Sequence, residues 1–106
     1  MRQTNADLRR YYRIFNRKYF KGKLPEVPIR FAKMHKKWTL GTTWLRHGKA
    51  LDIEINKNLQ NTQCVTVMTV VHEMLHVEKP SHKGHDWRFD RRMLRLAKAG
   101  AFDGLW

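Results

Sequence analysis

Cysteine is almost absent from this chain, and its scarcity excludes several classes of metal and redox protein. Cys64 is the single cysteine in 106 residues, so it has no partner for an internal disulfide. A zinc ribbon or a dithiol redox centre needs closely spaced pairs of cysteines, and these are also missing. We expect Cys64 to be a small residue packed on a helix, without a role in chemistry.

Long apolar stretches are missing too. No apolar run approaches the roughly 20 residues that a membrane-spanning helix requires, and the N-terminal residues lack the apolar segment of a signal peptide. We therefore expect an intracellular, cytoplasmic protein. The length predicts one small domain over residues 1–106, because it leaves no room for a second hydrophobic core.

Acidic residues are few in comparison with basic ones. The chain has 22 lysines and arginines against 9 aspartates and glutamates, which gives a net charge of +13. Such an excess attracts polyanions, of which nucleic acid is the commonest inside cells, although a basic surface can also serve solubility alone. The predicted partner is DNA, and the predicted contacts are basic residues of the first helix: Arg9, Arg10, Arg13, Arg17 and Lys18.

Tryptophan residues favour single-stranded over double-stranded DNA as that partner. Unpaired bases stack on aromatic rings, and Trp38, Trp44 and Trp87 could provide such rings. Packing within the sheet and the third helix is the more ordinary role for each of them.

The spacing of apolar residues predicts an α+β fold in which one helix is followed by three strands and two further helices. Helices are expected over residues 4–20, 63–77 and 85–99, and strands over residues 29–34, 40–46 and 51–56. His47 and Gly48 mark a turn, so the second and third strands are expected to form a hairpin. The second helix is rich in valine and threonine, which is typical of a helix that crosses the core.

Within the second predicted helix, residues 72–76 form the pattern H-E-x-x-H. Residues four apart lie on one face of a helix, so His72 and His76 can direct two imidazoles at one metal ion. Glu73 follows the first histidine and can act as general base toward a water molecule at the metal. The pattern predicts a zinc hydrolase, most often a peptidase. The alternative is two helix-face histidines beside a surface glutamate.

A catalytic zinc ion usually has three protein ligands, so a third is expected from outside this helix. His82 and His85 are both close in sequence. His82 has the spacing of the longer motif H-E-x-x-H-x-x-G-x-x-H, but Lys79 replaces the glycine that the turn in that motif requires. His85 follows Gly84 at the start of the third helix, which is a rigid platform, and is the predicted ligand.

In their order and spacing, these residues resemble those of the SprT-like metallopeptidases, which include the Spartan proteases that act on proteins crosslinked to DNA. The resemblance extends over roughly residues 8–97, and its marks outside the H-E-x-x-H pattern are Asn16, Tyr19, Phe20, Gly22, Leu24, Pro25, Leu40, Gly41, Ile53, Ile55, Asn56, Leu59, Gly84, His85 and Phe89. It implies a small zincin-like metalloprotease domain with Zn²⁺ as its cofactor. In that domain Glu73 is catalytic, and the metal ligands are His72, His76 and His85. The implied activity is zinc-dependent cleavage of DNA-associated or DNA-crosslinked proteins.

Two parts of the predicted site are less closely defined by the sequence. The oxyanion formed during peptide hydrolysis needs a further donor, and three nearby residues could supply it or contact the substrate: Arg88, His82 and Lys83. The substrate is expected to lie extended along an edge strand, with residues 40–46 as the predicted edge.

Two other functions are compatible with parts of the pattern. Bacterial endoribonucleases of the YbeY type use three histidines spaced like His72, His76 and His82, and an RNA substrate would suit the positive charge. Their motif, however, has glycine at the positions of Glu73 and Lys79. The second alternative is a non-enzymatic, zinc-containing nucleic-acid-binding module, although structural zinc sites are usually completed by cysteine.

Overall fold

The computed structural model describes residues 2–34, 39–79 and 87–100, and for residues 87–90 it describes the backbone alone. The α+β class and the order of helices and strands are those predicted from the sequence. The elements are α1 Asn5–Tyr19, β1 Ile29–Ala32, β2 Gly41–Arg46, β3 Lys49–Asn56, a 3-10 helix Lys57–Leu59, α2 Gln63–Glu78 and α3 Trp87–Lys98. None of the helices in these ranges combines the length and apolar character that crossing a membrane demands.

The start and end of α1 are both determined by local chemistry. The Thr4 hydroxyl accepts a hydrogen bond from the Asp7 backbone N–H, and the Asp7 carboxylate accepts one from the Thr4 N–H. This reciprocal pair is a capping box. The helix ends before Lys21 and Gly22, whose positive φ values of 56° and 70° turn the chain away from the helix axis.

The three strands form one mixed sheet in the order β1-β3-β2. β3 is parallel to β1 and antiparallel to β2, with which it forms the predicted hairpin. His47 and Gly48 connect the two strands, and their φ values of 51° and 74° are those of a tight two-residue turn. This turn brings Arg46 opposite Lys49, so β3 begins at Lys49 rather than at residue 51 as predicted. β1 ends at Ala32 rather than at residue 34.

The two outer strands differ in how their free edges are covered. At β1, the backbone N–H of Phe31 donates to the side-chain oxygen of Asn5, 2.9 Å away. At β2, no further strand pairs with the outer edge among the described residues. The backbone groups of that edge are therefore available to another extended chain. β2 is the strand that the sequence predicts to receive substrate.

The core lies between one face of the sheet and the helices α1 and α2. Ile53 and Ile55 of the central strand are completely buried there. α2 is buried on several sides, as its valine-rich sequence predicts. Two of its threonines, Thr66 and Thr69, are buried as well, and each hydroxyl donates to a backbone carbonyl oxygen at 2.7 Å. These hydrogen bonds explain how a helix can carry polar side chains into the core.

The apolar spacing in α3 predicts a buried stripe of Phe89, Met93, Leu96 and Ala97, and part of that stripe contacts the core. Leu96 is buried and Met93 is partly buried, but Ala97, which the spacing places in the same stripe, is exposed. Phe89, also predicted in the stripe, has its side chain outside the described part of the structure. Among the described side chains of α3, those of Met93 and Leu96 therefore face the core from one side of the helix.

Candidate functional site

His72 and His76 lie on the same side of α2, one helical turn apart. The centroids of their rings are 5.3 Å apart, and the ring planes are inclined by 61°. Both residues are partly exposed, whereas the residues on either side of each are buried. The His72 side chain keeps 30% of its surface exposed. α2 thus presents two imidazoles along one half-exposed strip, which is the arrangement expected for positions i and i+4.

Glu73 is buried between α2 and the edge strand β2, with only 4% of its surface exposed. The Thr43 hydroxyl donates a hydrogen bond to Glu73 Oε1 at 2.8 Å and lies 3.3 Å from the backbone carbonyl oxygen of Glu73. The second carboxylate oxygen, Oε2, lies 3.9 Å from Nε2 of His72. One carboxylate oxygen therefore contacts the strand, and the other lies near His72.

Gly41 provides the space that this carboxylate occupies. A Cβ atom at this position would come within 2.9 Å of Thr69 Cγ2 and within 3.2 Å of Glu73 Oε2. It would also lie 3.3 Å from the backbone carbonyl oxygen of Glu54. Glycine inside a strand often marks such a close approach. The proximity of β2 to α2 at the candidate site therefore depends on the missing side chain at position 41.

Burial is the main influence on the proton affinity of Glu73. It raises the pKa of Glu73 to about 7, and the hydrogen bond from Thr43 opposes part of that rise. A carboxyl group with a pKa near neutrality can both accept and release a proton under ordinary conditions. A cation next to the carboxylate would lower this pKa again.

The two imidazoles suit zinc, which accepts nitrogen ligands in a tetrahedral arrangement. Within residues 2–34, 39–79 and 87–100, no three His, Cys, Asp or Glu side chains are placed together so that they could hold a metal ion. The predicted third ligand, His85, lies outside these ranges, as do His82 and Lys83. Arg88 belongs to α3, but its side chain is not among those described. Of the predicted zinc ligands, the two histidines of α2 are therefore the ones that lie within the described residues.

The five basic residues predicted to contact nucleic acid are all exposed on α1. Arg9, Arg13 and Arg17 follow one another at intervals of four residues and form one strip along the helix. Two of the five form ion pairs: Arg10 lies 2.8 Å and Arg13 lies 3.7 Å from an acidic side chain. The other three form no ion pair with any described residue. The helix thus offers a row of cations that are available to an external anion.

The sequence predicted that Gly41 and Thr43 belong to the strand that binds substrate, but it did not predict that they lie against Glu73. Alternation along a strand shows that the two share a face, but not which helix covers that face. The presence of glycine within the strand is the one local signal of a close contact. Trp44 lies on the opposite face, and it is 52% exposed although it was expected to pack in the sheet.

A match to a known protein family covers nearly the whole chain. The model of the SprT-like family matches residues 8–104, a range that contains the H-E-x-x-H pattern and the strand residues that contact Glu73. That family is associated with zinc and with metalloprotease activity. No curated protein and no solved structure matches the chain. The family match and the resemblance seen in the sequence agree, and the chain belongs to the SprT-like family.

Proposed function

We propose that this protein is a zinc-dependent endopeptidase with its active site between α2 and β2. The observation that carries the proposal is the position of Glu73, a buried carboxylate 3.9 Å from the imidazole of His72. The same helix presents a second imidazole one turn later. Membership of the SprT-like family supports the same activity. An endoribonuclease of the YbeY type would have glycine in place of this carboxylate.

The proposed metal ligands are His72 and His76 of α2, together with His85. The first two share one strip of the helix, and His85 is proposed because of its place in the sequence after Gly84. Zinc supplies a Lewis acid at this position, which acidifies water and polarises a peptide carbonyl group. As metal ligands the three imidazoles would be neutral, so they would contribute no proton to the reaction.

Glu73 is the proposed general base and general acid. It takes the proton from the attacking water and later gives it to the leaving amine. Burial raises the pKa of Glu73 when no metal is bound, and a zinc ion next to the carboxylate would lower this pKa again, so that Glu73 is ionised and able to accept the proton. The donor for the oxyanion is proposed to come from Arg88, His82 or Lys83.

The free edge of β2 is the proposed binding surface for the substrate backbone. The backbone N–H of Asn56 donates to the Leu40 carbonyl oxygen at 2.8 Å. Because hydrogen-bonded pairs alternate along an antiparallel ladder, the backbone groups of Gly41 and Thr43 then face the free edge. An extended peptide that pairs with these groups would lie beside the buried carboxylate. Such binding uses the main chain, so we expect weak preference for particular side chains in the substrate.

The proposed substrates are proteins bound or crosslinked to DNA. The net charge of +13 and the exposed arginine strip of α1 support this choice, because both attract phosphates. Binding to the DNA next to a substrate protein would raise the local concentration of that protein at the active site. The proposed partner is single-stranded DNA.

Cleavage of a basic protein such as a histone tests this function. Zinc-loaded wild-type protein and the Glu73→Gln variant are incubated with the histone, with and without single-stranded DNA. We expect wild type to cleave and the variant to bind zinc normally but cleave at least ~100-fold more slowly, as loss of general acid–base catalysis predicts. Unchanged cleavage by the variant would exclude Glu73 as the base. In a parallel incubation with RNA, cleavage of the RNA by a protein that leaves the histone intact would favour the endoribonuclease.

A further inference from the structure

We infer that Thr43 is a positioning residue for Glu73, and that it belongs to the same strand that binds the substrate. Its hydroxyl holds the carboxylate in place for proton transfer, while its backbone faces the free edge of β2. The inference rests on the proposed function, because it assigns a task to the neighbour of the proposed general base.

The contact between the two side chains is specific and short. Thr43 Oγ1 lies 2.8 Å from Glu73 Oε1. Among the described residues, Thr43 is the one side chain that hydrogen-bonds to this carboxylate. A buried carboxylate with one strong hydrogen bond is restricted to the orientation that this bond permits. Without the hydroxyl, Glu73 would keep its burial but lose the contact that fixes its rotation.

The two carboxylate oxygens of Glu73 have different neighbours. Oε1 is held by Thr43, whereas Oε2 lies 3.9 Å from His72 Nε2, on the side of the proposed metal. Gly41 leaves just enough room for Oε2, since a Cβ atom there would approach it to 3.2 Å. Thr43 therefore holds Oε1 by a hydrogen bond, and the missing side chain at Gly41 leaves space for Oε2. The second oxygen is the one placed to exchange a proton with water.

A hydroxyl group can serve this carboxylate before and after it takes up a proton. Thr43 can donate to Oε1 while Glu73 is ionised. Once Oε2 carries a proton, Oε1 is the carbonyl oxygen of the carboxyl group and can still accept the hydrogen bond from Thr43. The two residues therefore stay in contact throughout the transfer. A side chain of the same shape without a hydroxyl can donate in neither state.

The same residue links the carboxylate to substrate binding. The side chain of Thr43 points to α2, while strand alternation turns its backbone N–H and carbonyl groups to the free edge. A change limited to the side chain leaves those backbone groups in place. Loss of the hydroxyl should therefore affect the chemical step and leave peptide binding nearly unchanged.

Three variants test this role in the zinc-loaded protein. Thr43→Val removes the hydroxyl and keeps the shape, Thr43→Ser keeps the hydroxyl, and Thr42→Val makes the same change on the opposite face of the strand. We expect Thr43→Val to lower kcat about 10- to 100-fold with KM changed less than about threefold. Thr43→Ser and Thr42→Val should stay within about threefold of wild type in both constants.

Two readouts besides activity accompany the kinetics. Zinc content should equal one ion per chain in all variants, because Thr43 is not a proposed ligand. A crystal structure of Thr43→Val should show the Glu73 carboxylate rotated away from its wild-type position. An unchanged carboxylate orientation, or equal losses of kcat in the serine and valine variants, would show that the hydroxyl does not position Glu73.

The Glu73→Gln variant separates this inference from the proposed function. If Glu73→Gln is inactive while Thr43→Val keeps wild-type kcat, Glu73 is the base and the role of Thr43 is refuted. If Glu73→Gln keeps wild-type activity, the proposed function itself fails. Should Thr43→Val not fold, loss of kcat in Thr43→Ser as large as that in Glu73→Gln would still contradict the inference.

Discussion

Arg92 of α3 donates two hydrogen bonds to the carboxylate of Glu78, the last residue of α2, at 3.2 and 3.3 Å. The two side chains form an ion pair that is partly shielded from solvent. Arg92 also donates to the backbone carbonyl oxygen of Tyr19 at 3.2 Å, and its guanidinium lies 5.1 Å from the ring centroid of Phe20. One side chain therefore connects α3 to the ends of both other helices. Since α3 follows the segment that contains His85, this connection bears on the proposed zinc site.

Replacing Arg92 with alanine should therefore weaken both the fold and the binding of zinc. Loss of charge-assisted hydrogen bonds at two helix ends should reduce the free energy of unfolding by about 1–3 kcal/mol. Zinc affinity should fall as well, because α3 would hold the preceding segment less firmly. Chemical denaturation and a zinc titration measure the two effects. Arg95→Ala, a change at an exposed position of the same helix, should alter stability by less than about 0.5 kcal/mol. Equal effects of the two variants would contradict this prediction.

Gly41→Ala should damage the candidate site directly. The added Cβ atom would press on Thr69 and on Oε2 of Glu73, so β2 and α2 would have to separate. We expect a loss of about 1–3 kcal/mol in stability and a large loss of peptide cleavage per folded molecule. Gly48→Ala is the matched control, because a Cβ atom there meets no other atom within 4 Å. Its φ of 74° makes that variant strained and less stable, but its activity per folded molecule should be normal.

The pH dependence of stability should report the burial of Glu73 in protein from which metal has been removed. Burial raises the pKa of Glu73 from 4.5 to about 7 in the folded state. A raised folded-state pKa contributes stability that is fully present below about pH 4.5 and is lost as pH rises through about 7. Glu73→Gln has no such loss, so it should become more stable than wild type by up to about 3 kcal/mol above pH 8.

Chemical denaturation of the two metal-free proteins between pH 5 and pH 8.5 measures this difference. The stability gap should widen with increasing pH. A gap of constant size would mean that the carboxyl group ionises in the folded protein as easily as in water.

DNA binding should depend on salt through the arginine strip of α1. Each phosphate neutralised on single-stranded DNA contributes about 0.7 to the slope of log affinity against log salt. Replacing both Arg9 and Arg17 with glutamine should therefore reduce that slope by about 1.4 and weaken binding to all sequences alike. Fluorescence anisotropy at several salt concentrations provides the measurement.

A control variant with the same change in charge tests whether the salt dependence of DNA binding comes from the arginine strip of α1 or from the net charge of the protein. The double variant Arg46→Gln with Lys49→Gln removes two positive charges from the hairpin of β2 and β3. It should keep most of the salt slope of wild type. A slope that falls equally in both double variants would indicate that DNA is attracted by the overall charge and not by α1.

Much of the fold could be predicted because its signals are local. The capping residues Thr4 and Asp7 predict where α1 begins, and the alternation of Ile53 and Ile55 with polar residues predicts β3. The turn at His47 and Gly48 predicts the hairpin. Each signal depends on residues next to one another in sequence, and the structure confirms each of them.

Contacts between distant segments were less accessible from the sequence. The H-E-x-x-H spacing places two histidines on one side of α2, but it does not say which strand lies against Glu73. Thr43 is 30 residues away, and its hydrogen bond depends on the packing of the whole sheet against the helix. The ion pair of Glu78 with Arg92 similarly depends on how α3 lies against α2. Such contacts depend on tertiary packing, and the periodicity of residues within one segment does not predict them.

The stoichiometry of bound zinc tests the central claim most directly, because the proposed activity requires a metal held by the α2 histidines. Purified wild type and Glu73→Gln should each bind one zinc ion per chain, and His76→Ala should bind at least ~100-fold more weakly. His47→Asn, a change at a histidine in the hairpin turn, should bind zinc like wild type. Folded wild-type protein that binds no zinc, or a His76→Ala variant of undiminished affinity, would contradict the proposed metal centre.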